Sequence, residues 1–122
     1  MTPKRWQSLL EHLGIASDTE TFIRLTEAYA EKHRCYHTAR HITACLTQLD
    51  EHRALASEPV EVECALWFHD AIYDPYSAKN EARSADWAEQ FLRQHGIAAD
   101  RSARVRTLIM ATRASVAAAR PR

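Results

Sequence analysis

The pair His69-Asp70 sets two strong metal-binding groups side by side, directly after the apolar run Ala65-Leu66-Trp67-Phe68. Inside a helix, neighbouring side chains point about 100° apart and would not easily share an ion. At a helix end the backbone can turn both toward one point. A second set of donors lies upstream. His37 and His41 are four positions apart, so a helix puts them on one face. His41 leads into the stripe Ile42, Cys45, Leu46, Leu49, so its imidazole can reach a site shared with another helix. Taken singly, each pair has a plainer reading: a packed His beside a cap-like Asp, and two polar residues on a helix surface. Taken together, two pairs of this kind carry more weight than either alone, and imidazole and carboxylate ligands would be compatible with Mn, Fe, Co, Ni or Zn.

Around these donors stand groups that could hold a substrate or move a proton. Arg34 and His37 flank the ligand helix, and a guanidinium offers a two-pronged fork for a phosphate. Asn80 and Glu81 open a helix soon after the His-Asp pair. Asn80 is a candidate substrate contact. Glu81 is a candidate general acid or base if it reaches the attacking water, although Glu is also favoured in a first helical turn by the macrodipole. Lys79 and Arg83 add positive charge nearby, and Asp74 reads either as a group orienting a ligand or as a turn former before Pro75. Cys35, His37, His41 and Cys45 fall within eleven residues, which leaves a structural zinc site as a competing use of the same helix.

Read in order, these segments resemble the His-Asp (HD) superfamily of metal-dependent phosphohydrolases, in particular a small bacterial branch of predicted phosphohydrolases. The blocks that carry the likeness are Arg34-Cys35-Tyr36-His37-Thr38-Ala39-Arg40-His41-Ile42, Ala65 through Asp74, Asn80 through Ala85, and the weaker Leu108-Ile109-Met110-Ala111-Thr112. The resemblance covers residues 5 to 113. It implies a helical HD-like fold that brings His41, His69 and Asp70 to one divalent metal, with Asp70 and Glu81 in the catalytic machinery. The metal would polarise a phosphoryl oxygen and lower the pKa of a bound water. The implied substrate is a phosphorylated small molecule or a nucleotide.

The family pattern also has a last ligand Asp on a later helix. Here no Asp or Glu follows Asp100, and Arg113, Ala114 and Ser115 stand where a His is usual. The sequence therefore reads as truncated at its C-terminus relative to that family. Exposed apolar surface would then favour a homodimer. Loss of the last Asp also keeps open a degenerate, non-catalytic module that binds a nucleotide or a partner.

The elements that must position these groups are helices. The 122 residues suit one domain, and with only two Gly and four Pro the chain has few of the turns that strands require. Thr2 and Pro3 start a first helix with Trp6, Leu9, Leu10 and Leu13 inward and Gly14 as its stop. Ser17 and Glu20 have the spacing of a capping box for a second, carrying Phe22, Leu25, Ala28 and Tyr29. A third is expected from about His37 to Ala56. Ser57 should cap a fourth, with Ala65, Leu66 and Phe68 inward. A fifth runs from Asn80 to His95 with Gly96 as its stop, and Asp100 should cap a sixth carrying Val105, Leu108 and Ile109. The expectation is an all-α, compact multi-helix bundle over 1–113 and an Ala/Arg-rich, disordered tail over 114–122.

Sixteen basic and sixteen acidic residues cancel, so no global field draws the chain to nucleic acid or an anionic membrane. No apolar run approaches the roughly 18 residues of a membrane span. Three cysteines without a CxxC pair or a leader read as reduced thiols in a cytoplasmic protein.

Overall fold

The computed structural model describes residues 1–34 and 37–119, with side chains described through Thr112. Among the described residues the chain is all-α. Its helices are α1 (Pro3–Leu13), α2 (Thr19–Tyr29), α3 (Ala39–Glu51), α4 (Pro59–Phe68), α5 (Asn80–Gln94) and α6 (Ala99–Ala119), with a 3-10 turn at Arg53–Leu55. None of them is long and apolar enough to cross a membrane.

Local chemistry sets most of these boundaries. The Thr2 hydroxyl accepts from the Arg5 N–H at 3.1 Å, and Pro3 fills a first-turn position where its missing N–H costs nothing. Gly14 and Gly96 take φ of +79° and +74°, the left-handed geometry that ends a helix and that side chains with a Cβ resist. α2 is capped by Asp18, whose Oδ1 accepts from the Thr21 N–H at 2.9 Å, rather than by Ser17. The carboxylate wins because it meets two further partners at the same place, Thr21 Oγ1 and His95. α3 is shorter than the apolar pattern suggests, and its last turn gives way to the 3-10 turn. The start of α4 falls to Glu58 and Pro59 instead of Ser57. α6 begins at Ala99, so Asp100 lies in its first turn and is not its cap. Its backbone stays helical to Ala119, past the point where the apolar face ends. Alanine and arginine favour helix without a buried face. Residues 120–122 of the expected tail lie outside the described residues.

α4 is the hub, packed against α1, α3, α5 and α6. It is buried on all sides rather than along the one stripe that Ala65, Leu66 and Phe68 suggest. Cys64, Trp67 and Phe68 are fully enclosed. Trp67 meets Trp6 edge-on at 5.1 Å, and Trp6 and Phe68 both lie against Phe91, so α1, α4 and α5 share one aromatic cluster. A helix enclosed this way must neutralise its own charges. Glu61 takes Arg101 and Arg104 from α6, and Glu63 takes Arg5 from α1 and Arg53 from the 3-10 turn. These pairs lie along the first turns of α4 and leave its C-terminal end free for different chemistry.

The Asp18 cap ties α2 to the end of α5, because His95 Nε2 lies 2.7 Å from Asp18 Oδ2. Burial alone would raise the Asp18 carboxyl, but the His95 bond and the Thr21 N–H and hydroxyl outweigh it and hold it below its ordinary value. Such a group contributes stability that is present above its unfolded pKa and lost as pH falls through the folded one. Asp18→Ala should therefore lower the unfolding free energy by about 1–2 kcal/mol at neutral pH. The gap to wild type should close below about pH 4. Urea unfolding across that range measures both effects.

Candidate metal centre

α4 ends at Phe68, and His69 and Asp70 fall in the turn that follows, where the backbone lets both side chains converge. Asp70 Oδ2 is the meeting point. It lies 2.9 Å from His37 Nδ1, 3.3 Å from His69 Nε2 and 3.6 Å from His41 Nε2. The sequence-predicted ligands His41, His69 and Asp70 are thus brought together, from the first turn of α3 and the end of α4. His37 joins them, although it precedes α3 rather than lying on its face, since that helix starts only at Ala39. The Asp70–His37 contact is short, yet it is misaligned for a hydrogen bond, and both atoms are buried without an oriented partner.

The orientation of His69 is informative. Its Nδ1 lies 2.8 Å from the Leu66 carbonyl. A carbonyl only accepts, so Nδ1 donates to it and Nε2 is the ring atom that faces Asp70. A carboxylate oxygen 3.3 Å from Nε2 is served either by a proton on that nitrogen or by a cation between the two. The same backbone-anchored ring is how metal-ligating histidines are commonly held. The donor set and its orphaned atoms therefore fit a divalent metal.

Electrostatics agree with the geometry. Burial pushes the Asp70 carboxyl up, but the contact from His37 and the positive potential of His69, His37 and His41 outweigh it, so Asp70 is held below its usual value and ionised. Burial holds the His41 pKa down. Asp70 opposes this and His69 and His37 reinforce it, so the ring favours the neutral form that ligates. The His41 side chain is 41% exposed, against 4% for His69 and 12% for Asp70, so the cluster opens to solvent on the His41 side. One turn along α3, Cys45 Sγ lies 3.7 Å from His41 Nε2. The donor atoms of His41, Cys45 and His69 all lie within 4.8 Å of one another. Burial and the nearby Asp70 charge push the Cys45 thiol up.

Arg34 does not hold a substrate in this fold. Its guanidinium side chain is 0% exposed and has no face to offer a ligand. It donates to Glu31 Oε1 at 3.0 Å, to the His37 and Asp70 carbonyls at 2.8 and 2.6 Å, and to the Ala71 carbonyl at 2.9 Å. Tyr29 and Tyr73 pack over it at 5.1 and 5.7 Å. The guanidinium expected to face a phosphate faces the backbone in this structure, because a fork that fits phosphate oxygens equally fits carbonyls.

The other expected site residues divide in the same way. Asn80 spends both ends of its amide on the Asp74 backbone, at 3.0 and 2.9 Å, and so closes the loop instead of facing a ligand. Asp74 is a turn former, accepting from the Tyr76 N–H at 2.9 Å. Glu81 is half-buried in the first turn of α5, and the described residues give it no ion pair. Lys79 and Arg83 are exposed. Of the competing zinc set, Cys35 lies outside the described residues, and Cys45 groups with His41 and His69. Two positioning residues went unread in the sequence. Ser84 Oγ accepts from the Ile72 N–H at 3.0 Å and pins the His-Asp loop to α5; its signal was a polar residue on the buried stripe of Ala85, Ala88 and Phe91. Tyr73 packs on the His37 ring with centroids 4.2 Å apart.

Comparison with family profiles, curated proteins and solved structures finds no match to this chain.

Removing the guanidinium strips donors from three buried carbonyls at once. Arg34→Ala should cost about 3 kcal/mol or more in urea unfolding. Arg34→Lys should recover only part, since one ammonium cannot span all of them.

Proposed function

We propose that this chain is a metal-dependent phosphohydrolase of the His-Asp type, acting on a phosphate ester or nucleotide. The observation that carries the reading is the convergence of His69 Nε2 and His41 Nε2 on Asp70 Oδ2, at 3.3 and 3.6 Å, with the His69 imidazole fixed from behind by Leu66. His41, His69 and Asp70 would hold the ion, and His37 steadies the Asp70 carboxylate from the other side. When bound, a divalent ion there supplies a Lewis acid for a phosphoryl oxygen and a more acidic water. Solvent reaches the cluster past His41, which is where a substrate would enter. Glu81 is the group assigned to proton transfer, free of ion pairs among the described residues. A second reading, a binding-only module, draws support from Arg34 and Asn80. Both are committed to the backbone, so neither grips a phosphate.

The protein purified without chelator should carry about one transition-metal ion per chain. Mass spectrometry should find little in His69→Ala. A panel of p-nitrophenyl phosphate, its bis ester and nucleoside phosphates should show turnover that disappears in Asp70→Ala. No metal in the wild type after reconstitution with Mn, Fe, Co, Ni and Zn would sink the enzyme reading, and metal without turnover would select the binding module. Glu81→Gln should leave metal content unchanged and lower kcat by about 10²–10⁴-fold. An unchanged kcat removes Glu81 from the chemistry.

A further inference from the structure

We infer that Cys45 is itself a ligand of the centre, through its thiolate, so that the site is a mixed nitrogen, sulfur and oxygen site selective for zinc, cobalt or iron over manganese and magnesium. This rests on the metal-binding part of the reading above and adds a donor to it. The sulfur is one helical turn beyond His41 on the same face of α3, and Sγ stands 3.7 Å from His41 Nε2. That distance is normal for two ligands sharing one ion, whose bonds are about 2.0 Å to nitrogen and about 2.3 Å to sulfur. The His69 donor closes the triangle, with every pair of donor atoms within 4.8 Å. Asp70 approaches the same two imidazoles at 3.6 and 3.3 Å. Among the described residues it is the carboxylate in ion-pair reach of these rings. Two imidazoles are thus shared between one oxygen and one sulfur donor. His41, Cys45 and His69 supply three donors within reach of one ion, as in open zinc sites, and Asp70 stands beside the two imidazoles.

The chain's other described cysteine provides a contrast. Cys64 is fully enclosed in the α4 core with no imidazole in reach, and burial pushes its thiol up to about 12. Cys45 is only half-buried and opens toward the donors. On binding, the Cys45 S–H proton leaves to solvent, the S–M bond forms from the thiolate pair, and no oxidant is needed. A soft donor shifts preference toward zinc, cobalt and iron, whereas manganese and magnesium prefer all-oxygen or nitrogen–oxygen sets.

Cobalt(II) reports the two claims separately. Titrated into the apo-protein, it should give visible d–d bands from the site and a sulfur-to-cobalt charge-transfer band in the near ultraviolet. Cys45→Ser should keep the d–d bands and lose the charge-transfer band. Cys64→Ala should keep both. Zinc affinity in Cys45→Ser should fall by at least the roughly 10–100-fold that even an outer partner costs. X-ray absorption on the unmutated zinc protein gives the same answer without a variant, as a sulfur shell at about 2.3 Å. If d–d bands appear with no charge-transfer band and no sulfur shell, the metal site stands and Cys45 is not its ligand. A charge-transfer band that survives Cys45→Ser also overturns the assignment. Binding of manganese without cobalt or zinc overturns the thiolate assignment and leaves the metal site standing, whereas binding of none of Mn, Fe, Co, Ni and Zn overturns both readings.

Discussion

A buried guanidinium cannot be left half-satisfied, and the whole centre depends on how Arg34 meets that constraint. Taken out of water, the cation needs acceptors in every direction it points. The chain supplies them from two separate places: the His37 carbonyl just before α3, and the Asp70 and Ala71 carbonyls just after α4. Those are the backbone groups next to the metal donors. Satisfying the cation therefore fixes the separation of His41 from His69 and Asp70. Tyr29 and Tyr73 seal the guanidinium from either side, and Tyr29 donates its own hydroxyl to the Trp67 carbonyl at 2.7 Å, one residue pair before the site.

The hub helix explains why the clamp has something rigid to pull on. α4 carries two buried carboxylates on its early turns, and each is met by two arginines from other elements. Pairing them lets an acidic helix sit in the middle of the fold. It also orders the charge along the axis: ion pairs first, then aromatic packing through Trp67 and Phe68, then the donors at the end. The last carbonyls of a helix have no partner within it. Here Leu66 gives its carbonyl to His69, and Phe68 gives its own to the Ala71 N–H at 2.9 Å. The candidate site is thus built from an ordinary need of helix ends.

Much of this was readable in the sequence, and the unread parts share a cause. The buried faces of α1 and α5 followed from spacing alone, since Trp6, Leu9, Leu10 and Leu13, and Ala85, Ala88, Phe91 and Leu92, are all enclosed. The convergence of His41, His69 and Asp70 was legible as residue types at two helix ends. What spacing could not give was direction. Arg34 and Asn80 have the right chemistry for a phosphate, and the fold spends both on the backbone. For α4 the sequence reads only Ala65, Leu66 and Phe68 as inward; Glu61 and Glu63 are buried as well, because arginines from distant segments come to them. In the sequence Cys45 groups with Cys35, His37 and His41 as a competing zinc set. Its neighbour in space is His69, which sequence distance hides.

The donor set also bears on which substrates the site can hold. With Asp70 as its single anionic ligand, a divalent ion keeps one positive charge, which draws an anionic phosphate. Adding the Cys45 thiolate cancels it. A neutral centre attracts phosphate less and leaves more of the recognition to side chains. Arg34 cannot help, because its charge is enclosed and already faces Glu31. Arg40, Lys79 and Arg83 are exposed, and among the described residues none of them has an ion-pair partner. Such flexible surface charges select for net charge and tolerate many shapes. In the proposed reading, a centre that carries little charge of its own would hold an anionic substrate mainly through the side chains around it and only weakly through the ion.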